Sequence, residues 1–254
     1  MSGQNISRIV YPAIGILLIV LAWQAYIVAF RVPVVVMPPP TKVMSALAAD
    51  WRLLLVESWT TFVECVYGFA LAVIVGILIA VMVTASRGLS LMFYPILIAT
   101  QSIPKVAIAP LVLVWFGTGI ESKIAIAFIV AFFPMVVDTA TGLRATPEDL
   151  LDLARSLKCT RWQIFWKIQV PSALPFIFSG AKVAVTLAVI GAVIGEFVGS
   201  DSGLGNLVLS ANAQVNLPLV WAALVFLSIL GMMLYAATVV AERILTPWVE
   251  SASQ

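Results

Sequence analysis

The fold of this chain turns on residues 146–175, TPEDLLDLARSLKCTRWQIFWKIQVPSALP. This is its longest polar interruption. It carries Glu148, Asp149 and Asp152 against Arg155, Lys158, Arg161 and Lys167. Thr146 reads as an N-cap, Pro147 as the first helical residue, and Glu148 and Asp149 as first-turn acids. Thr146 with Asp149 has the form of a capping box. Leu150, Leu153, Ala154 and Leu157 recur at i, i+3, i+4 and i+7, one apolar face of a short helix. Thr160 followed by Gln163 repeats the capping pattern, so a second helix starts there. Pro171 is expected to end it, because the residue before a proline avoids the helical region. The expected product is two short amphipathic helices joined by a turn at Lys158-Cys159, a docking knob and not a membrane span.

Outward from the knob the chain is apolar. Of its 254 residues 62% are hydrophobic and 10% charged, against about 25% charged in soluble domains. An all-α integral membrane protein follows, since the apolar runs have helix length and not strand length. A net charge of +2 gives no argument for nucleic acid. The absence of His excludes histidine acid–base chemistry and His metal sites. Cys65 and Cys159 are expected in a span and in the knob, with no disulfide framework or metal pattern. No G-x-x-x-x-G-K-[ST] motif occurs, so the chain does not itself hold ATP in a P-loop. No cofactor and no metal are expected.

Six spans are predicted, at 9–30, 60–84, 89–116, 122–142, 173–199 and 217–243, in a single membrane domain covering 1–254. The first is too long for a signal-peptide core. Residues 31–58 form a polar interlude with an extended Pro38-Pro39-Pro40 and a short surface helix capped by Thr41. Gly68 and Gly76 suit close packing in the second span. Ser86-Arg87-Gly88 reads as a tight turn. Pro95, Pro104 and Pro110 interrupt the third span, which implies freed backbone groups facing protein or water. Pro134 is expected to kink the fourth, and 200–216 to be a polar loop. Six spans put both termini on one side. Cytoplasmic termini place nine basic residues inside (Arg8, Arg87, Arg144, Arg155, Lys158, Arg161, Lys167, Lys182, Arg243) and four outside (Arg31, Lys42, Arg52, Lys123). By the positive-inside rule the knob, residues 146–172, is cytoplasmic.

The knob resembles the "EAA" loop of ABC importer permeases, whose pattern is E-A-A-x3-G-x9-I-x-L-P. Asp152, Leu153 and Ala154 take the E-A-A places, Lys158 the glycine place, and Ile168, Val170 and Pro171 the rest, at matching spacing. Residues 103–111, IPKVAIAPL, with Trp115-Phe116-Gly117, and residues 195–199, GEFVG, running into Ser202-Gly203-Leu204-Gly205, are similar to permeases of the nitrate/sulfonate/taurine importer group. The resemblance implies a type I ABC importer permease fold. It also implies partners: two copies of an ATPase subunit, an external substrate-binding protein and a second permease. The ATPase-coupling residues it implies are Asp152, Leu153, Ala154, Leu157, Lys158, Cys159, Thr160, Arg161, Trp162 and Pro171. The solute implied is a nitrate-, sulfonate- or taurine-like nutrient, or a vitamin-like heterocycle.

Other residues invite functional readings. Lys105, between Pro104 and Pro110, either lines the translocation path or snorkels or pairs with Glu64 or Glu196. Glu196 is a second path candidate. Gly191, Gly195 and Gly199 make a smooth face, either for packing within the subunit or for the centre of a homodimer. Trp162, Phe165 and Trp166 are docking anchors or interfacial aromatics. A self-sufficient channel or secondary transporter is the rival, but it needs no docking knob, and matched half-repeats are lacking. No catalytic residue is expected, since there is no His and no nucleophile–base pair.

Overall fold

Backbone in hydrocarbon must satisfy its own polar groups, and this chain does so with helices. The computed structural model describes residues 3–248; residues 1–2 and 249–254, parts of the polar ends expected from the sequence, lie outside the described residues. The order is α1 (Gly3–Phe30), α2 (Pro40–Ala49), α3 (Trp51–Thr84), α4 (Arg87–Gln101), a 3-10 turn (Lys105–Ile108), α5 (Ala109–Phe116), α6 (Ile120–Arg144), α7 (Glu148–Ser156), α8 (Arg161–Ile164), a π-turn (Phe165–Gln169), α9 (Val170–Gly199), α10 (Leu204–Ala213) and α11 (Leu217–Leu245). Among the described residues, four helical runs are long and apolar enough to cross a membrane alone: Trp51–Thr84, Ile120–Arg144, Arg161–Gly199 and Leu217–Leu245. The bent pair around residue 102 would make a fifth.

α6 is the axis of the bundle. No residue from Ser122 to Leu143 on it is exposed. Small residues bring its neighbours close. A Cβ at Gly68 would lie 2.5 Å from the Ala127 Cβ, and one at Gly76 would lie 2.9 Å from the Met135 Cγ. Both positions advance by eight, so α3 runs parallel to α6. Gly180 meets Asp138, Gly191 meets Ala127 and Gly195 meets Lys123, so α9 runs antiparallel. Ala72, Ala131, Met135, Ala184 and Ala188 fill the seam between the three helices, each fully buried. Dense contact of this kind is how membrane helices associate where hydrocarbon removes the hydrophobic drive.

Several boundaries differ from expectation. α3 begins at Trp51, nine residues before the predicted span. Ser86 caps α4 with its hydroxyl accepting from the Leu89 N–H, so Arg87 and Gly88 are already helical. The third span is two helices meeting at 84°. Of its three prolines only Pro104 lies at the break; Pro95 sits within α4, and Pro110 occupies the first turn of α5, where its missing N–H costs nothing. α6 runs through Pro134. The predicted loop 200–216 contains α10.

Pro171 does not end the second knob helix. Arg161–Gly199 is one continuous run. The Val170 N–H donates to the Phe165 carbonyl, five residues back. This wider π-turn accommodates the proline ring that an α-turn would reject.

Candidate functional site

The knob is built by its caps. At its second helix both halves of the capping box form: the Gln163 N–H donates to the Thr160 hydroxyl at 3.3 Å, and the Thr160 N–H to the Gln163 Oε1 at 2.8 Å. The first cap falls one residue later than expected. Pro147 is extended at ψ 135° and holds the N-cap position, while Thr146 is buried and its hydroxyl has no partner. The Thr146–Asp149 box therefore does not form.

The turn between the limbs ends α7 in a Schellman motif. The Cys159 N–H donates to the Ala154 carbonyl at 3.0 Å and the Lys158 N–H to the Arg155 carbonyl at 2.9 Å. Lys158 sits at φ 57°, the left-handed conformation that glycine adopts freely and that costs other residues roughly 1–2 kcal/mol. The position thus keeps the geometry glycine would give. Asp152 bonds Arg155 at 2.7 Å on the exposed side.

Ala154 alone of the apolar face is buried. Leu150, Leu153 and Leu157 are 44%, 56% and 70% exposed. The helix therefore turns an apolar edge away from its own subunit. Trp162, Phe165 and Trp166 pack on one another, with ring centroids 5.4–6.3 Å apart.

Lys105 stands at the start of the 3-10 turn, half-buried, with its Nζ 5.2 Å from the centroid of the Phe133 ring on α6. It pairs with neither Glu64 nor Glu196. Among the described residues the ion pairs are Arg155–Asp152 and Lys182–Glu242, the latter at 2.8 Å between α9 and α11. At the end of α6, Arg144 stacks on Tyr94 at 4.8 Å and the Tyr94 hydroxyl meets Thr141 at 3.2 Å, which ties α4 to α6.

Glu196 is 1% exposed and lines no open surface of the subunit. Its Oε1 accepts from the Thr61 hydroxyl at 2.6 Å and its Oε2 from the Gly205 N–H at 2.5 Å. The Thr61 hydroxyl accepts from the Leu204 N–H at 2.8 Å, and Glu57 accepts from the Gly203 N–H at 2.5 Å. Two carboxylates and a hydroxyl thus hold the N-terminal amides of α10, the positive end of that helix. This clasp joins α3, α9 and α10. Glu64, also 1% exposed, lies within it with a partnerless Oε2. Glu57 and Thr61 escaped notice in the sequence. Their signal was spacing: Glu57, Thr61 and Glu64 fall at i, i+4 and i+7, one face of a span-length helix.

The three glycines pack inside the subunit. Gly191 faces the Ala127 backbone, Gly195 faces Lys123 and Gly199 faces Leu113 of α5. α6 and α5 therefore fill this face within the subunit, which leaves no open glycine surface on it for a homodimer centre.

The chain is thus a helical membrane protein with a capped polar knob, an unpartnered apolar edge on that knob and a broken span. The chain belongs to the family described as binding-protein-dependent transport system inner membrane component, whose model matches residues 72–251. It is 36% identical to the "Probable ABC transporter permease protein" of Haemophilus influenzae, over 90% of this chain and 93% of that one. It is 33% identical to the formylaminopyrimidine transport permease protein ThiX of Halalkalibacterium halodurans, over 93% and 95%. It is also 33% identical to the riboflavin transport system permease protein RibX of Chloroflexus aurantiacus, over 96% and 94%. Its fold is similar to a chain of the MetNI methionine ABC transporter in an inward-facing conformation, with TM-score 0.66 and 23% identity over 78% of this chain and 98% of that one. The chain is thus a membrane transport component of an ATP-driven importer, with the ATPase and the substrate-binding protein as separate partners.

Proposed function

We propose that the chain is one half of a symmetric permease pair that carries a small nutrient inward by alternating access. The knob transmits the motion of the ATPase to the spans. The pair works with two ATPase copies, spans the membrane six times per subunit, and keeps both termini and the knob in the cytoplasm. The broken pair α4–α5 counts as one span and α1 as another. The carrying observation is the exposed edge Leu150, Leu153 and Leu157 on a helix fixed at its C-terminal end: a rigid apolar ridge suits a groove on another protein. The coupling residues are those of the first limb and the turn, which dock, Asp152, Leu153, Ala154, Leu157, Lys158, Cys159 and Thr160, and those at the start of the second limb, which pass the motion on, Arg161 and Trp162. Pro171 stands where the knob passes into α9. ATPase closure moves the knob, and the continuous run Arg161–Gly199 carries that motion into the bundle.

The two relatives at 33% identity that are named for a solute are named for formylaminopyrimidine and riboflavin, while the taurine permease TauC of Escherichia coli, matched over 96% and 91%, stands at 27%, which favours a nitrogen heterocycle. Lys105 lines the path, with Pro104 at the bend beside it and Pro110 in the first turn of α5 beyond it. Lys105→Met is expected to lower uptake several-fold while the ATPase still co-purifies. Normal uptake at normal expression would return Lys105 to a purely structural place over Phe133. One knob per chain and a dimeric ATPase imply closed two-fold symmetry. Native mass spectrometry of the purified complex should therefore count two copies of this chain. One copy beside a different permease would contradict the pair.

A further inference from the structure

We propose that the second limb of the knob, residues 161–167, is a seat for anionic phospholipid headgroups of the leaflet it adjoins, while the first limb and the turn are left to the ATPase. The two limbs differ in charge. The first carries Glu148, Asp149 and Asp152, with Arg155 already bound to Asp152. The second carries Arg161 and Lys167 and no acid, and Lys158 in the turn before it is a further positive charge. Arg161 and Lys167 are exposed, and between them Trp162 and Trp166 are 69% and 51% exposed, touching each other and Phe165.

This limb runs without a break through the π-turn into the span α9. Trp166 is four residues before Val170, about 6 Å along a helix, so the aromatic cluster lies about one turn outside α9, and on this proposal that is the depth where hydrocarbon gives way to headgroups. Indole rings favour that depth because one edge is apolar and the N–H needs a polar partner. Basic side chains beside them meet lipid phosphates, and they can lay their stems along the apolar surface while their charged ends reach out. The acidic first limb would be repelled by the same headgroups. Charge therefore sorts the limbs: one rests on the membrane and the other projects from it. The seat fixes the height of the knob above the bilayer, so the leucine edge meets its partner at one level.

The proposal rests on the reading that the first limb takes the ATPase, and the test separates the two. The full-length permease is placed in nanodiscs of phosphatidylcholine, or of phosphatidylcholine with phosphatidylglycerol, with bromine on the acyl chains of one lipid at a time. Tryptophan fluorescence is compared with that of the Trp162→Phe/Trp166→Phe variant, which isolates the signal of the two rings. That signal should be quenched more by brominated phosphatidylglycerol than by brominated phosphatidylcholine. The difference should shrink at high salt and vanish in Arg161→Gln/Lys167→Gln. Lys167→Gln alone should halve it if the double variant does not fold. The preference should persist after the ATPase is added. Equal quenching by both lipids, or no quenching, overturns the seat. Loss of quenching when the ATPase binds also overturns it and assigns the aromatic limb to the ATPase. Discs expose both leaflets, so an inverted topology would not mask the result.

Discussion

Leu157→Asp is expected to abolish transport while leaving the spans folded. Leu157 is 70% exposed at the end of α7, beside the Schellman turn, and Leu153 on the same edge is 56% exposed. Neither is packed in its own subunit, so a carboxylate there disturbs nothing in the bundle. On the proposed docking the same position is buried in a groove of the ATPase. Losing one buried leucine costs roughly 2–5 kcal/mol by the standard of core substitutions, and a buried unpaired charge adds to that. About 1.4 kcal/mol is tenfold in an equilibrium, so ATPase binding should fall by two orders of magnitude or more. Co-purification of the ATPase measures the loss directly, and thermal melting of the permease alone checks that the spans are intact. A variant that binds and transports normally removes the leucine edge from the interface.

Gly203→Ala is expected to unseat α10 and destabilise the whole subunit. Gly203 has φ 100°, a conformation side chains rarely adopt, and an added Cβ would collide with the Glu196 carboxylate. Backbone strain alone costs roughly 1–3 kcal/mol. The larger effect comes from the clasp. If the loop moves to relieve the clash, Glu57, Thr61 and Glu196 lose the amides they hold, and Glu196 is left buried without its partners. A fall in melting temperature with loss of folded yield is the expected result. Gly88→Ala, at a helical glycine whose added Cβ meets open space, serves as the control and should melt like the parent chain. Equal melting of both variants would mean that the clasp holds nothing.

The parts legible in the sequence were those set by neighbours in the chain. The Thr160–Gln163 box could be read because donor and acceptor lie three residues apart. The knob and the all-helical membrane class followed from capping and apolar run length, and the permease family from the resemblance carried by the stretch from Asp152 to Pro171. What escaped was set at a distance. The bonds of the clasp join residues 135 to 146 positions apart, with the exception of Glu196 to Gly205. Lys105 looked for a carboxylate and found an aromatic ring. Local rules also failed in two places. Pro171 reads as a helix end only if the turn before it is α, and a π-turn removes that condition. Thr146 reads as a cap only if Pro147 is helical, and Pro147 is extended.

The central claim, that the turn of the knob sits on the ATPase, is tested most directly at Cys159. The chain has two cysteines, and Cys65 is fully buried in α3, so a thiol-specific reagent distinguishes Cys159 without further substitution. Single cysteines placed in turn along the surface groove of the ATPase should give a disulfide or short crosslink to Cys159 at one or two neighbouring positions. The yield should change when nucleotide closes the ATPase. A complex that assembles and transports, yet gives no crosslink from Cys159 to any groove position, would contradict the account.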